Sequence, residues 1–192
     1  RREVPVLSIV GYTNAGKSTL LRALTHSDVF IEDKMFATLD PVSRRLRFPR
    51  EKEVIITDTV GFIRDLPTDL VTAFHATLEE LRDASLLVHV VDASAEDVER
   101  KVATVRRVLD ELKLGSKKEL LVFNQIDRLP KETHMELEQR YDCVAVSALR
   151  GDGLTKLLDR AQGMLWTDER PGARSKWATE TAVTPFRGTQ QK

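Results

Sequence analysis

At 192 residues the chain holds one domain with a tail and hardly two, and a 41% hydrophobic content is enough to bury a core. Thirty basic and thirty acidic residues cancel, which excludes a global field drawing the protein onto nucleic acid or a membrane surface. A single cysteine, Cys143, excludes an internal disulfide framework, and no apolar stretch approaches the roughly 20 residues that span a bilayer.

The chain opens on Arg1, Arg2 and Glu3, with neither Met nor the apolar core of a signal peptide, and reads as a piece of something longer. A cytoplasmic setting and a monomer are expected. Residues 4–10 form the first strand candidate and residues 17–24 a helix after a glycine loop. Residues 43–48 alternate Arg45 and Arg47 with Leu46 and Phe48, which predicts an edge strand guarded by charge. Residues 54–58 are a buried strand. Residues 69–81 are a helix with Leu70, Phe74, Leu78 and Leu81 on one stripe and Thr68 placed to cap it.

Residues 86–92 are apolar on consecutive positions, as in a strand covered on both faces; His89 within it is expected to be a satisfied buried histidine. Residues 95–112 carry Val98, Val102, Val105, Leu109 and Leu112 at helical spacing, with Ser94 as N-cap and Gly115 past the end. Strand 120–124, a helix near 131–140, strand 144–147 and helix 154–165 complete the series. Cys143 is expected to pack as a small hydrophobe. Residues 1–167 thus form one domain, and 168–192 lack periodicity and read as a linker or mobile tail. The alternation predicts a three-layer α/β fold with a six-stranded sheet, parallel except for the edge strand at 43–48.

Gly11, Tyr12, Thr13, Asn14, Ala15, Gly16, Lys17 and Ser18 spell Gly, four residues, Gly-Lys-Ser, between a strand and a helix. Such a loop turns successive N–H groups toward a phosphate, and the helix amino end adds a favourable dipole. Lys17 supplies charge to the outer phosphates, Ser18 a hydroxyl to Mg²⁺, and Thr19 follows on the same turn. This pattern specifies a nucleotide and leaves ATPases and small-molecule kinases open. Asn124, Gln125, Ile126 and Asp127 end a buried strand, where a carboxylate can accept the N1–H and exocyclic amine of guanine. Ser147, Ala148 and Leu149 would set backbone N–H groups against its O6.

Asp58, Thr59, Val60 and Gly61 end another strand: Asp58 can hold a water on Mg²⁺ and the Gly61 N–H can meet a γ-phosphate. Phe36, Ala37, Thr38, Leu39 and Asp40 lie between, with Thr38 able to ligate Mg²⁺ and sense that phosphate, or to be an ordinary loop threonine. Lys17, Thr38 and Gly61 are the candidate catalytic residues, and Ser18, Thr38 and Asp58 the candidate metal ligands.

In this order the segments resemble a Ras-like GTPase of the translation-factor class. Their wording, Gly-Tyr-Thr-Asn-Ala-Gly-Lys-Ser, Phe-Ala-Thr-Leu-Asp and Asp-Thr-Val-Gly-Phe-Ile, resembles the G domain of the HflX family. The resemblance covers about residues 3–166 and implies GTP and GDP as ligands and hydrolysis of GTP. It also implies association with the large ribosomal subunit, to split or rescue stalled ribosomes under stress. Two positions depart from the Ras-like pattern. Gln125 stands where a Lys is common, and Phe62 stands where a water-orienting Gln is common, a residue the HflX relatives share. Phe62 cannot hydrogen-bond water, which predicts slow hydrolysis without a partner. Asn14 stands where potassium-activated GTPases hold a monovalent cation, or else simply stabilises the turn. A nucleotide-switched binding module with negligible turnover stays open as the reading from another class.

Overall fold

A computed structural model describes residues 4–25, 43–48, 52–58 and 81–166. Six strands form one sheet: β1 (Val6–Gly11), β2 (Ser43–Phe48), β3 (Lys52–Asp58), β4 (Leu86–Asp92), β5 (Glu119–Asn124) and β6 (Val144–Ala145). Their spatial order is β2-β3-β1-β4-β5-β6, and only the β2–β3 pair is antiparallel. Four helices are described in full: α1 (Lys17–Thr25), α2 (Val98–Glu111), α3 (Lys131–Tyr141) and α4 (Leu154–Leu165).

The period-2 alternation of each strand assigns its side chains to two cores. Leu7, Ile9, Val88, Val90, Leu120 and Val122 pack with Leu20 and Leu24 of α1 and with Leu157, Leu158 and Ala161 of α4. On the other face Val10 and Leu87 meet Val105 and Leu109 of α2. Val91, Leu121 and Phe123 meet Val98 and Val102, with Leu137 and Tyr141 of α3 packed alongside. The expected three layers, six strands and antiparallel edge are therefore all present. In β2, Leu46 and Phe48 are buried, and Phe48 meets Trp166 edge-on at 5.5 Å.

Boundaries differ where local chemistry intervenes. β1 starts at Val6 because Pro5 has no N–H for the ladder, although its carbonyl accepts from Ile55 N at 3.0 Å. Ser94 does not cap α2. Its N–H and hydroxyl donate to Asp92 Oδ1 at 2.9 and 2.6 Å, a local turn that delays the helix to Val98. Past the end of α2 the left-handed residue is Lys113 (φ 60°) and not Gly115, where a Cβ would meet only the exposed side chain of Asp110, which can swing aside. β6 closes at Ala145, since Ser147 bridges to Asp152 instead. Of the helix expected at 69–81 only Leu81 lies among the described residues, and the segment 168–192 lies outside them. Among the described residues no helix is long and apolar enough to cross a membrane.

Candidate functional site

The parallel strands β1, β4 and β5 end side by side, so the loops after them meet at one edge of the sheet. After β1 the chain turns at Gly11, whose φ of 149° and position leave no room for a side chain: a Cβ would lie 2.2 Å from the Val90 carbonyl oxygen. Ala15 N donates to the Tyr12 carbonyl at 3.3 Å, and Asn14 (φ 64°) and Gly16 (φ 88°) are left-handed. Lys17 then opens α1 with its Nζ donating to the Tyr12 carbonyl at 2.9 Å, which holds this largely buried ammonium at the cleft wall.

The loop after β5 is tied to this turn by two amide side chains. Asn124, itself buried, donates from Nδ2 to the Ala15 carbonyl at 3.0 Å and accepts at Oδ1 from Ala148 N at 3.0 Å. Gln125, left-handed at φ 66°, donates from Nε2 to the Asn14 carbonyl at 3.0 Å. A peptide carbonyl and the following N–H point opposite ways, so holding the Ala15 carbonyl outward fixes the direction of the Gly16 N–H.

Ser147 is fully buried, and its hydroxyl donates to Asp127 Oδ1 at 2.6 Å, a short charge-assisted bond that orients the carboxylate. The backbone amides of this loop are mostly committed internally. Ser147 N donates to the Asp152 carbonyl at 3.0 Å and Ala148 N to Asn124, so of the three amides only that of Leu149 lacks a partner among the described residues.

These segments enclose one cleft of about 450 Å³ lined by Asn14, Gly16, Lys17, Ser18, Thr19, Asn124, Gln125, Asp127, Arg128, Ala148 and Leu149. Lys17 and Asp127 thus open onto the same space. Not every motif residue does. Tyr12, Thr13 and Ala15 line a neighbouring cavity of about 260 Å³ with His89 and Asp92, and Asn14 lines both. The Ile126 side chain is buried in the core with Phe123 and Val98, so its role is packing. Asp58 closes β3 with its backbone in register with Ile9, two residues before Gly11. Phe36, Ala37, Thr38, Leu39, Asp40, Thr59, Val60 and Gly61 lie outside the described residues. Arg128 is a wall residue the motifs did not indicate; its place one step past Asp127, on the same 3₁₀ turn, was the available signal.

Away from the cleft, His89 is buried and its Nδ1–H donates to Glu119 Oε1 at 2.7 Å, while Arg106 Nε donates to Oε2 at 3.0 Å. Burial alone would raise the Glu119 carboxyl; the hydrogen bonds and charge supplied by His89 and Arg106 outweigh it and hold the group below its usual range. Burial pushes the Cys143 thiol up to about 12, with Glu138 adding to the effect.

A family model described as "50S ribosome-binding GTPase" matches residues 6–125. The chain is 46% identical over 171 residues to a GTPase HflX of Caldanaerobacter subterraneus subsp. tengcongensis, covering 88% of this chain and 38% of that protein. It is 45% identical over 161 residues to GTPase HflX of Escherichia coli, covering 82% and 38%. The chain therefore spans less than two-fifths of the length of these relatives. Among solved structures it is similar to a GTP-binding protein from the archaeon Sulfolobus solfataricus in complex with GDP. There the TM-score is 0.66 at 25% identity, over 85% of this chain and 53% of that one.

Proposed function

The chain belongs to the family of 50S ribosome-binding GTPases, and from that premise we propose that it binds GTP and GDP with Mg²⁺ and hydrolyses GTP to GDP and phosphate. The observation that carries this reading is that Lys17, Ser18, Asn124, Asp127 and Ala148, drawn from three loops, wall a single cleft. Asp127, oriented by Ser147, accepts the paired donors of guanine, which adenine lacks; the Leu149 N–H meets O6. Lys17 and the amino end of α1 hold the phosphates and the charge that develops on them.

The donors suit Mg²⁺, a hard cation that keeps several waters and takes one or two protein oxygens. Ser18 lines the cleft, Asp58 ends a strand beside the loop, and Thr38 would complete the set. Held there, the ion would supply positive charge to the outer phosphates. Residues 1–167 act as the G domain and 168–192 as a linker or tail.

The HflX resemblance further supports the large ribosomal subunit as partner, in splitting or rescuing stalled ribosomes, in the cytoplasm. Phe62 supports slow turnover until that partner is engaged. Titration calorimetry of GTP, GDP and ATP with Mg²⁺ tests the base assignment: ATP binding as tightly as GTP overturns it. Phosphate release with and without large ribosomal subunits tests the partner, and an unstimulated rate favours a switched binding module instead.

A further inference from the structure

None of the residues that line the cleft lies on α3, yet two side chains of that helix reach the backbone of the loops after β5 and β6. His134 and Glu138 stand one turn apart on the same face of α3. His134 Nε2 lies 2.8 Å from the Ile126 carbonyl and 3.3 Å from that of Leu129; both partners are acceptors, so this nitrogen carries the hydrogen and donates. The Ile126 carbonyl belongs to the peptide that leads into Asp127, so holding it sets the plane from which that carboxylate departs.

Glu138 acts on the other loop. Val146 N points inward to the Phe123 carbonyl at 2.8 Å, so Ala145 N, one residue earlier, points out from the last strand of the sheet. Glu138 Oε1 accepts from it at 3.1 Å, while Lys156 Nζ of α4 donates to Oε2 at 2.6 Å. Ala145 lies two residues before Ser147, whose hydroxyl orients Asp127. The helix that supplies both contacts is lightly held: none of its residues is fully buried, and Leu137 and Tyr141 are its part-buried contacts with the core.

We propose that α3 braces the nucleotide site: His134 and Glu138 are positioning residues that hold the loops after β5 and β6 at the separation where Ser147 meets Asp127, and so set how firmly bound GDP is retained. The brace rests on the guanine reading above. It places control of nucleotide release on a helix that does not line the cleft.

GDP affinity and the rate of GDP release, each with Mg²⁺, are to be measured on the 192-residue chain and its His134→Ala, His134→Gln, Glu138→Ala, Lys156→Ala and Asp127→Asn variants. Inorganic pyrophosphate serves as the probe without a base. Each lost bond is expected to weaken GDP roughly three- to tenfold, chiefly through faster release, and to leave pyrophosphate binding unchanged. His134→Gln keeps a donor at similar reach and should recover most of the GDP affinity. Lys156→Ala removes the ion pair, keeps the Ala145 bond and should bind GDP like wild type. In a Ser147→Ala background Glu138→Ala should add little, because the bond it supports is already gone. Thermal midpoints establish that the variants fold, and the Gln and Lys156 variants carry the test should an alanine variant fail to. Unaltered GDP affinity and release in both alanine variants, with Asp127→Asn strongly impaired, overturns the brace and leaves the guanine reading standing. An equal loss for GDP and pyrophosphate, or a loss in Lys156→Ala as large as in Glu138→Ala, reduces these side chains to general supports of the fold and also overturns it. If Asp127→Asn binds GDP like wild type, the guanine reading itself fails and the brace goes with it.

Discussion

A Cβ placed on Gly16 would lie 2.3 Å from Asn124 Nδ2, so the phosphate loop and the loop after β5 are fitted together at a point only glycine allows. Gly16 is also left-handed, at φ 88°. Gly16→Ala therefore meets both a clash and backbone strain, together on the order of 1–3 kcal/mol. The expected outcome is a ten- to hundredfold weaker GDP complex in calorimetry, with a smaller fall in thermal midpoint. Unchanged GDP affinity would mean that this junction does not shape the nucleotide site.

Ser147→Ala removes the hydroxyl that orients Asp127 and leaves the carboxylate itself in place. A hydrogen bond to a charged group contributes roughly 1.5–3 kcal/mol. GDP affinity is expected to fall about tenfold or somewhat more, and less than in Asp127→Asn. If Ser147→Ala matches wild type while Asp127→Asn collapses, the carboxylate needs no such support.

Much of this architecture was legible in the sequence because burial on both faces writes itself as an unbroken apolar run. β4 and α4 have the limits their apolar patterns indicated, and β2 declared itself an edge by alternation. Errors arose where one polar group could serve two partners. Ser94 looked like a cap, but Asp92 lies two residues away and takes both its donors. Gly115 looked like the helix terminator, yet Lys113 makes the left-handed turn. The motifs lie on loops that line the cleft, but they do not separate wall residues from packed ones. Ile126 is packed in the core, Ser147 supports from behind, and Arg128 lay just outside the motif.

The Glu119 carboxylate predicts one limb of the pH–stability profile. Its folded-state pKa is held below the ordinary value of 4.5, so its contribution is fully present above that value and is lost as pH falls through the folded pKa. Urea unfolding should therefore show no change from this group between pH 7 and 5, and a decline below about 4.5. Glu119→Gln should destabilise the protein at pH 7 by roughly 1–3 kcal/mol and flatten the acid decline. An acid limb identical in wild type and variant would assign that decline to other carboxylates.

Asn14 lines the cleft with its carbonyl held by Gln125, in a left-handed conformation that fixes the loop around it. If it helps hold potassium beside the phosphates, GTP turnover should be several-fold faster in KCl than in NaCl at equal ionic strength, and Asn14→Ala should remove the difference. Equal rates in the two salts would reduce Asn14 to a turn residue.

Cys143 sits beneath the surface with its thiol pushed up to about 12, so almost none of it is thiolate at neutral pH. Maleimide and iodoacetamide reagents attack the thiolate, and the native chain should be nearly silent toward them. A second cysteine placed at an exposed site would then accept a single fluorophore or spin label without first deleting the native one. That makes the wild-type background suitable for following nucleotide-dependent motion by spectroscopy.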